Sequence, residues 1–265
     1  MVFLIIFVCV ILLKCYNYFI KLITNMKKII IILLVIALIV VGALGYLGII
    51  PGVAKIFGSD KPRDLGIKFT ADNYKTADTK AQVKIETMAS AMTVKDGLVV
   101  SGKKDVINSF SSEELTAVLN THSSNWKYYF ITDAQIKIDT DGSVAFSGLL
   151  NLDRFAGYSE ATGINYTEIK SVMDKFKIAP GVLAVYVDGT PTVKSGKVNL
   201  VVNKAEFGRM SIPGSLITKN QGVINDFFSQ QINMLPGFYI ESLDFENGNM
   251  NFKGTMPEKI ITAIN

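Results

Sequence analysis

Two stretches of the chain, "IDTDGSVAFSG" (138–148) and "FENGNMNFKG" (245–254), are near copies of one phrase. In each, apolar residues alternate with polar ones on both sides of an Asp-Gly or Asn-Gly pair. Such a pair predicts a β-hairpin, because a type I′ turn needs positive φ at both central residues. Two further turns of this kind are predicted, at Asp96-Gly97 and Ser195-Gly196.

The alternation also predicts how the hairpins pack. Ile136 and Ile138 precede one turn, and Val144 and Phe146 follow it. Apolar residues at every second position give an antiparallel sheet one apolar face, which other elements must cover.

A helix is predicted before each of the two copied hairpins. "SSEELTAVLNTH" (111–122) begins with Ser111 and Glu114 at the spacing of a capping box, and "IPGSLITKNQGVINDFFSQQINML" (212–235) repeats apolar residues at helical spacing. The fold class is therefore α+β: a long curved antiparallel sheet of hairpins packed on one or two helices. The repeated order of helix and hairpin suggests pseudo-duplication. An additional helix is predicted at Tyr166–Phe176, and weaker patterns predict helices at Ala71–Lys80 and Pro257–Ile264.

The N-terminal part of the chain differs in composition from the rest, because it is mostly apolar. Residues 29–50 are 22 uncharged, mostly apolar residues, and Lys27-Lys28 stands directly before them. At about 1.5 Å per residue, a helix of that length crosses a hydrocarbon core of roughly 30 Å. The lysines keep the N-terminus cytoplasmic, so the localisation expected is the cell membrane, single-pass, with an extracytoplasmic C-terminal domain.

These patterns divide the chain into four parts. The first is a hydrophobic extension, which is either a mis-assigned start ahead of Met26 or a first hairpin helix. An uncleaved signal anchor follows, although cleavage after Ala43 remains an alternative. A linker with two prolines and two glycines leads into the extracytoplasmic domain. The extension comprises residues 1–25, the anchor residues 26–50, the linker residues 51–64 and the extracytoplasmic domain residues 65–265.

Charge and cysteine usage exclude several classes of function. Residues 1–50 carry four lysines and no acidic residue, which leaves 27 − 4 = 23 basic against 23 acidic residues downstream. A neutral domain without a basic stripe does not predict nucleic-acid binding. Both cysteines, Cys9 and Cys15, precede the predicted anchor, so the domain has no disulfide framework and no thiolate zinc site.

Catalytic and metal motifs have plainer interpretations. Asp139 and Asp141 resemble the start of a calcium loop, but the chain continues as a strand without the acidic residue that closes such loops. His122, the only histidine, falls at a predicted helix end and has no nucleophile-elbow motif beside it. We therefore predict no enzyme activity, no catalytic residue, no metal and no cofactor. The aromatic segment 124–133 is read either as a strand with core aromatics or as an aromatic rim at a ligand mouth or bilayer interface.

The segment "AEFGRMSIPGSLI" (205–217), with the Phe227-Phe228 helix and the hairpin after it, resembles small bacterial membrane-anchored proteins of unknown function with a tubular lipid-binding (TULIP-like) module. The resemblance covers the C-terminal part, with a fainter echo at 111–148. It implies a sheet rolled round a helix and an apolar ligand, such as a lipid, held in the seam between them. Candidate seam residues are Leu115, Leu119, Trp126, Phe146, Leu216, Ile224, Phe227, Phe228 and Phe252.

Two functions fit these expectations. The first is an envelope module, anchored in the membrane, that binds lipid or another apolar ligand between sheet and helix. The alternative is an envelope protein-interaction or scaffold domain that has no small ligand and whose partner is another protein.

Overall fold

The computed structural model describes residues 31–48, 50–91, 93–167, 170, 174 and 181–264, without the side chains of residues 51 and 122–125. The predicted extension 1–25 and the first part of the predicted anchor lie outside the described residues, as does most of the predicted helix Tyr166–Phe176. Within the described part of the chain, no helix combines the length and the hydropathy that a bilayer crossing requires.

The described residues form an α+β fold, as predicted. The helices are α1 (31–46), α2 (Pro51–Phe57), α3 (Ala71–Ala81), α4 (Ser112–Asn125), α5 (Phe155–Thr162) and α6 (Gly214–Ile232). The strands are β1 (Lys84–Met88), β2 (Leu98–Ser101), β3 (Lys104–Ser111), β4 (Ile131–Ile138), β5 (Val144–Asn151), β6 (Val182–Lys194), β7 (Lys197–Phe207), β8 (Met210–Ser211), β9 (Tyr239–Glu246), β10 (Asn249–Met256) and β11 (Lys259–Ala263).

The large sheet is antiparallel and curled, and it is organised around the long strand β6. Its order is β3-β10-β9-β6-β5-β4, and β7 pairs with the other edge of β6. Two hairpins share one edge of β6, because β5 pairs along Val182–Gly189 and β9 pairs at Val193 and Lys194. A small separate sheet, β1-β11-β2, contains the parallel pair β1–β11. A parallel pair was not expected from a sequence of hairpins.

Three of the four predicted hairpins are confirmed. Ser195-Gly196 and Asn247-Gly248 are two-residue turns in which both residues have positive φ, as a type I′ turn requires. The β4–β5 hairpin has a longer turn, in which Gly142 alone adopts positive φ (85°).

The hairpin prediction at Asp96-Gly97 is wrong. Residues Lys95–Gly97 form a 3₁₀ turn that leads into β2, and the φ angle of Gly97 is not positive. Glycine is needed there for space, since a Cβ would lie 2.5 Å from the Tyr128 ring. The helix prediction for Pro257–Ile264 is also wrong, because these residues supply β11, whose partners β1 and β2 lie far away in the sequence.

The main core lies between the large sheet and the helices packed on it. Val106 and Phe110 of β3, Val193 of β6 and Phe252 of β10 are buried together. The helices α3, α4 and α6 cover this face with Ala77, Leu115, Val118 and Ile232. The capping box predicted at the start of α4 is confirmed: the Glu114 amide donates to Ser111 Oγ (3.3 Å), and the Ser111 amide donates to a Glu114 carboxylate oxygen (2.9 Å).

The segment predicted as a linker is folded onto the domain. Pro51–Phe57 form α2, and the Leu65 amide donates to the side-chain oxygen of Gln135 on β4 (2.7 Å). Arg63 donates two hydrogen bonds to Glu206 on β7, at 2.7 and 2.9 Å. Residues 51–64 are therefore ordered by contacts with the sheet rather than by their own composition.

Candidate functional site

Polar side chains of α4 cover the outer edge of strand β4. Asn120 donates to the carbonyl oxygen of Ala134 (2.8 Å) and accepts from its amide (3.0 Å). One turn earlier, Thr116 Oγ1 accepts from the Ile136 amide (3.0 Å), and two turns earlier, Ser112 Oγ accepts from the Ile138 amide (2.9 Å). Side chains four residues apart share one helix face, while every second strand residue points its backbone groups outward. Ser112, Thr116 and Asn120 thus form what we name the α4 ladder.

The outer edge of β7 is covered in the same way by α6. Asn225 Oδ1 accepts from the Leu200 amide (3.0 Å), and Ser229 Oγ accepts from the Val198 amide (2.9 Å). Gln221 accepts from the Val202 amide (3.4 Å) and donates to the carbonyl oxygen of Leu200. These three residues form the α6 ladder, which Asn233 extends by donating to the carbonyl oxygen of Gly196 (2.8 Å).

The two ladders cover the outer edges of β4 and β7, while β3 is the edge strand at the other end of the sheet order. A free strand edge exposes backbone groups that can pair with another chain, and proteins commonly cover such edges. In the described residues, the side chains of α4 and α6 supply the partners that an additional strand would otherwise provide. The ladders themselves are structural features, but they determine which faces of the two helices remain available for other contacts.

The apolar flank of α6 is left partly uncovered by this arrangement. It comprises Leu216, Val223, Ile224, Phe227 and Phe228, which lie on one side of the helix next to the ladder. Val223 is 50% exposed and Phe228 43% exposed. The Phe227 and Phe228 rings contact each other edge to face, with centroids 5.5 Å apart. Because α6 docks through its polar stripe, this apolar flank is the candidate binding surface.

The structure separates the predicted seam residues into different places. Leu115 and Phe252 belong to the main core, while Leu119 and Phe146 are partly buried on α4 and β5. The other predicted residues on α6, namely Leu216, Ile224, Phe227 and Phe228, remain together on its flank. The contact between α6 and the edge of β7 is made by side-chain hydrogen bonds from Gln221, Asn225 and Ser229.

Trp126 lies in a separate aromatic cluster. Residues 126–130 form the connection between α4 and β4 rather than a strand. The buried indole donates to the carbonyl oxygen of Gly97 (3.0 Å), and its ring lies 5.3 Å from that of Tyr158 on α5. Burial raises the pKa values of Tyr129 and Tyr158, which keeps both phenols neutral. These contacts favour a small second core over an exposed aromatic rim.

A buried carboxylate lies near the start of α6. Glu206, whose side chain is 2% exposed, pairs with Arg63 and Lys204, and Ser211 donates to it at 3.4 Å. Burial raises the pKa of Glu206, but the hydrogen bonds from Lys204 and Arg63 together outweigh it, so the net pKa is lowered. This charge joins β7 to the segment that follows α2.

The candidate calcium residues are part of a turn. Asp141 accepts from the amide (2.9 Å) and the hydroxyl (2.7 Å) of Ser143, and these bonds lower its pKa. Asp139 pairs with Lys137 at 2.7 Å. Among the residues that the structure describes, no group of three or more His, Cys, Asp or Glu side chains is placed to hold a metal ion. His122 belongs to α4, but its side chain is outside the described part.

Sequence reasoning missed the two ladders, which determine which face of α6 stays exposed. Their trace in the sequence is a row of amide and hydroxyl residues four apart, at 112, 116 and 120 and at 221, 225, 229 and 233. Comparisons with protein-family models, curated proteins and solved structures find no match to this chain.

Proposed function

We propose that this protein is a single-pass, membrane-anchored extracytoplasmic module that binds an acyl chain or a similar apolar molecule along the apolar flank of α6. The observation that carries the proposal is the docking of α6 through its polar ladder, which leaves Val223 and Phe228 exposed beside Phe227. Soluble surfaces rarely leave contiguous apolar side chains uncovered unless something binds them.

The anchoring part of the proposal is supported by the surface of α1. Ten large apolar side chains between residues 31 and 41 each expose between 41% and 64% of their surface. A helix that is apolar all round is stable in water only when other surfaces or lipid cover it. Lys27-Lys28 ahead of this helix orients the domain away from the cytoplasm.

The test is photolabelling in a membrane. The full chain is reconstituted in phosphatidylcholine vesicles that contain a lipid with a diazirine in its acyl chain, and labelled peptides are mapped after irradiation. We expect label on α1 and on the peptide that carries Phe227 and Phe228. Phe228→Ser is expected to remove most of the α6 label and none of the α1 label.

Ile107→Ser is the matched control, because Ile107 on β3 is a 71% exposed apolar residue far from α6 in the sheet order. This variant should leave the α6 label unchanged. Label on α1 without label on α6 would contradict ligand binding while leaving the anchor intact. An unlabelled α6 that crosslinks to one envelope protein, with loss of the crosslink in Phe228→Ser, would favour the alternative scaffold function.

A further inference from the structure

The junction between α1 and the domain is a fixed corner rather than a tether. α2 folds against the last turn of α1 so closely that a Cβ at Gly45 would overlap the Val53 side chain. Buried Ser59 donates to the carbonyl oxygens of Gly45 (2.8 Å) and Ala54 (3.3 Å), which joins the ends of both helices. The direction of α1 therefore determines the direction of α2.

The same corner is attached to the sheet. Arg209 donates to the carbonyl oxygen of Gly58 (3.3 Å), and the backbone at Gly208 lies so close to Leu47 that a Cβ there would be 2.7 Å from the Leu47 oxygen. The ion pair between Arg63 and Glu206 adds a third attachment on β7. If α1 spans a bilayer, these contacts hold the corner and the start of α6 at the membrane end of the domain.

The outer surface of this corner is apolar. Ile56 is 80% exposed, on the side of α2 away from buried Ala54. Phe57 and Tyr46 are also exposed, and their rings contact edge to face with centroids 6.1 Å apart. Aromatic side chains with a polar tip are favoured at the level of lipid headgroups.

The charged residues beside Tyr46, Ile56 and Phe57 are mostly cationic, which favours contact with an anionic lipid surface. Lys55 and Lys61 are exposed, Arg209 is partly buried, and Asp60 is the acidic residue among positions 55–61. Cations next to an apolar strip favour the interface of a bilayer that contains anionic lipids.

We propose that Tyr46, Ile56 and Phe57 form a membrane-docking surface that lies in the headgroup region of the bilayer crossed by α1. This inference rests on the proposed anchor. It places the first turn of α6, which follows β8 directly, at the lipid surface, so an acyl chain on the flank comes from that bilayer rather than from solution.

Spin-label depth measurements test the inference on the full chain in vesicles of phosphatidylcholine and phosphatidylglycerol. Cys9 and Cys15 are first replaced by serine, and single cysteines are placed at Ile36 in α1, at Ile56 and, as the matched exposed isoleucine, at Ile107. We expect the ratio of oxygen to nickel-complex accessibility to be several-fold higher at positions 36 and 56 than at position 107. The relaxation rates of the nitroxides provide this ratio directly.

The three labels separate the possible failures. A lipid-like ratio at 36 with a water-like ratio at 56 would overturn the docking surface and leave the anchor standing. Water-like ratios at both positions would overturn the docking surface and the anchor together. A lipid-like ratio at 107 as well would also overturn the inference, because the immersion would not be specific to the corner.

Discussion

The helices α4 and α6 bind the outer edges of β4 and β7 with the same chemistry, but they differ in how deeply they are buried. Thr116 and Ala117 of α4 are fully buried, and the first turn carries Glu114 bonded to Lys80 of α3 at 2.7 Å. On α6, the buried positions are Ile217 and Asn220. The α4 ladder is largely buried and is a structural seam, whereas the partly exposed α6 ladder leaves its helix free to use its other face.

Removing one asparagine side chain from each ladder should give the largest difference in the free energy of unfolding between the two helices. Asn120→Ala leaves the buried amide and carbonyl of Ala134 without partners, so we expect a loss of about 2–4 kcal/mol in the free energy of unfolding. Asn225→Ala frees the Leu200 amide at an edge that water can reach, and the expected loss is about 1 kcal/mol. Since the gain in helix propensity from Asn to Ala is common to both variants, it cancels in the comparison.

Denaturant unfolding of the detergent-solubilised chain measures both variants, with the buried Trp126 as the fluorescent reporter. Equal losses for Asn120→Ala and Asn225→Ala would show that the two edges are equally enclosed, and the contrast between the helices would fail.

Enlarging an apolar side chain on each helix should give a smaller contrast. Ala117→Leu overpacks a fully buried position and should lower the free energy of unfolding by about 1–3 kcal/mol. Val223→Leu adds a methylene to a half-exposed side chain on the apolar flank, so its effect should stay within about 0.5 kcal/mol. The shift in the urea midpoint measures both changes, and a large loss for Val223→Leu would mean that the flank is packed rather than open.

Acid should lower the free energy of unfolding through protonation of Glu206, which lies on β7 near the start of α6. Its folded pKa lies below the usual 4.5, so the unfolded chain takes up a proton more readily. The stabilisation is therefore fully present above about pH 4.5 and is lost as the pH falls through the folded pKa. In Glu206→Gln this contribution is absent, so the stability difference between wild type and variant should shrink as the pH drops below 4.5. A constant difference across acid unfolding curves would contradict the assignment.

The local features of this fold could be predicted from sequence, because they depend on neighbouring residues. Asn247-Gly248 and Ser195-Gly196 form the predicted turns, since few other residue pairs tolerate positive φ twice in succession. The capping box at Ser111 and Glu114 was predicted for the same reason. The hairpin predicted at Asp96-Gly97 is wrong because position 97 needs glycine to leave space for the Tyr128 ring, which is not a sequence neighbour.

The candidate site could be predicted only in part. Helical periodicity placed Leu216, Ile224, Phe227 and Phe228 on one face of α6, and the structure keeps them together. Periodicity could not show which face of α6 meets the sheet. Ile217 and Ile232 of α6 pack inward as expected, but the helix also lies along a strand edge whose backbone groups require polar partners, which leaves Val223 and Phe228 exposed.

Amide hydrogen exchange at the two strand edges compares the enclosure of α4 with that of α6. The polar ladder holds α6 at a partly exposed strand edge, whereas α4 is buried against β4. We expect the amides of Leu200 and Val202 to exchange roughly tenfold faster than those of Ala134 and Ile136, since side-chain bonds at an open edge are lost by local opening. Equal protection at both edges would contradict the account, because α6 would then be as firmly enclosed as α4.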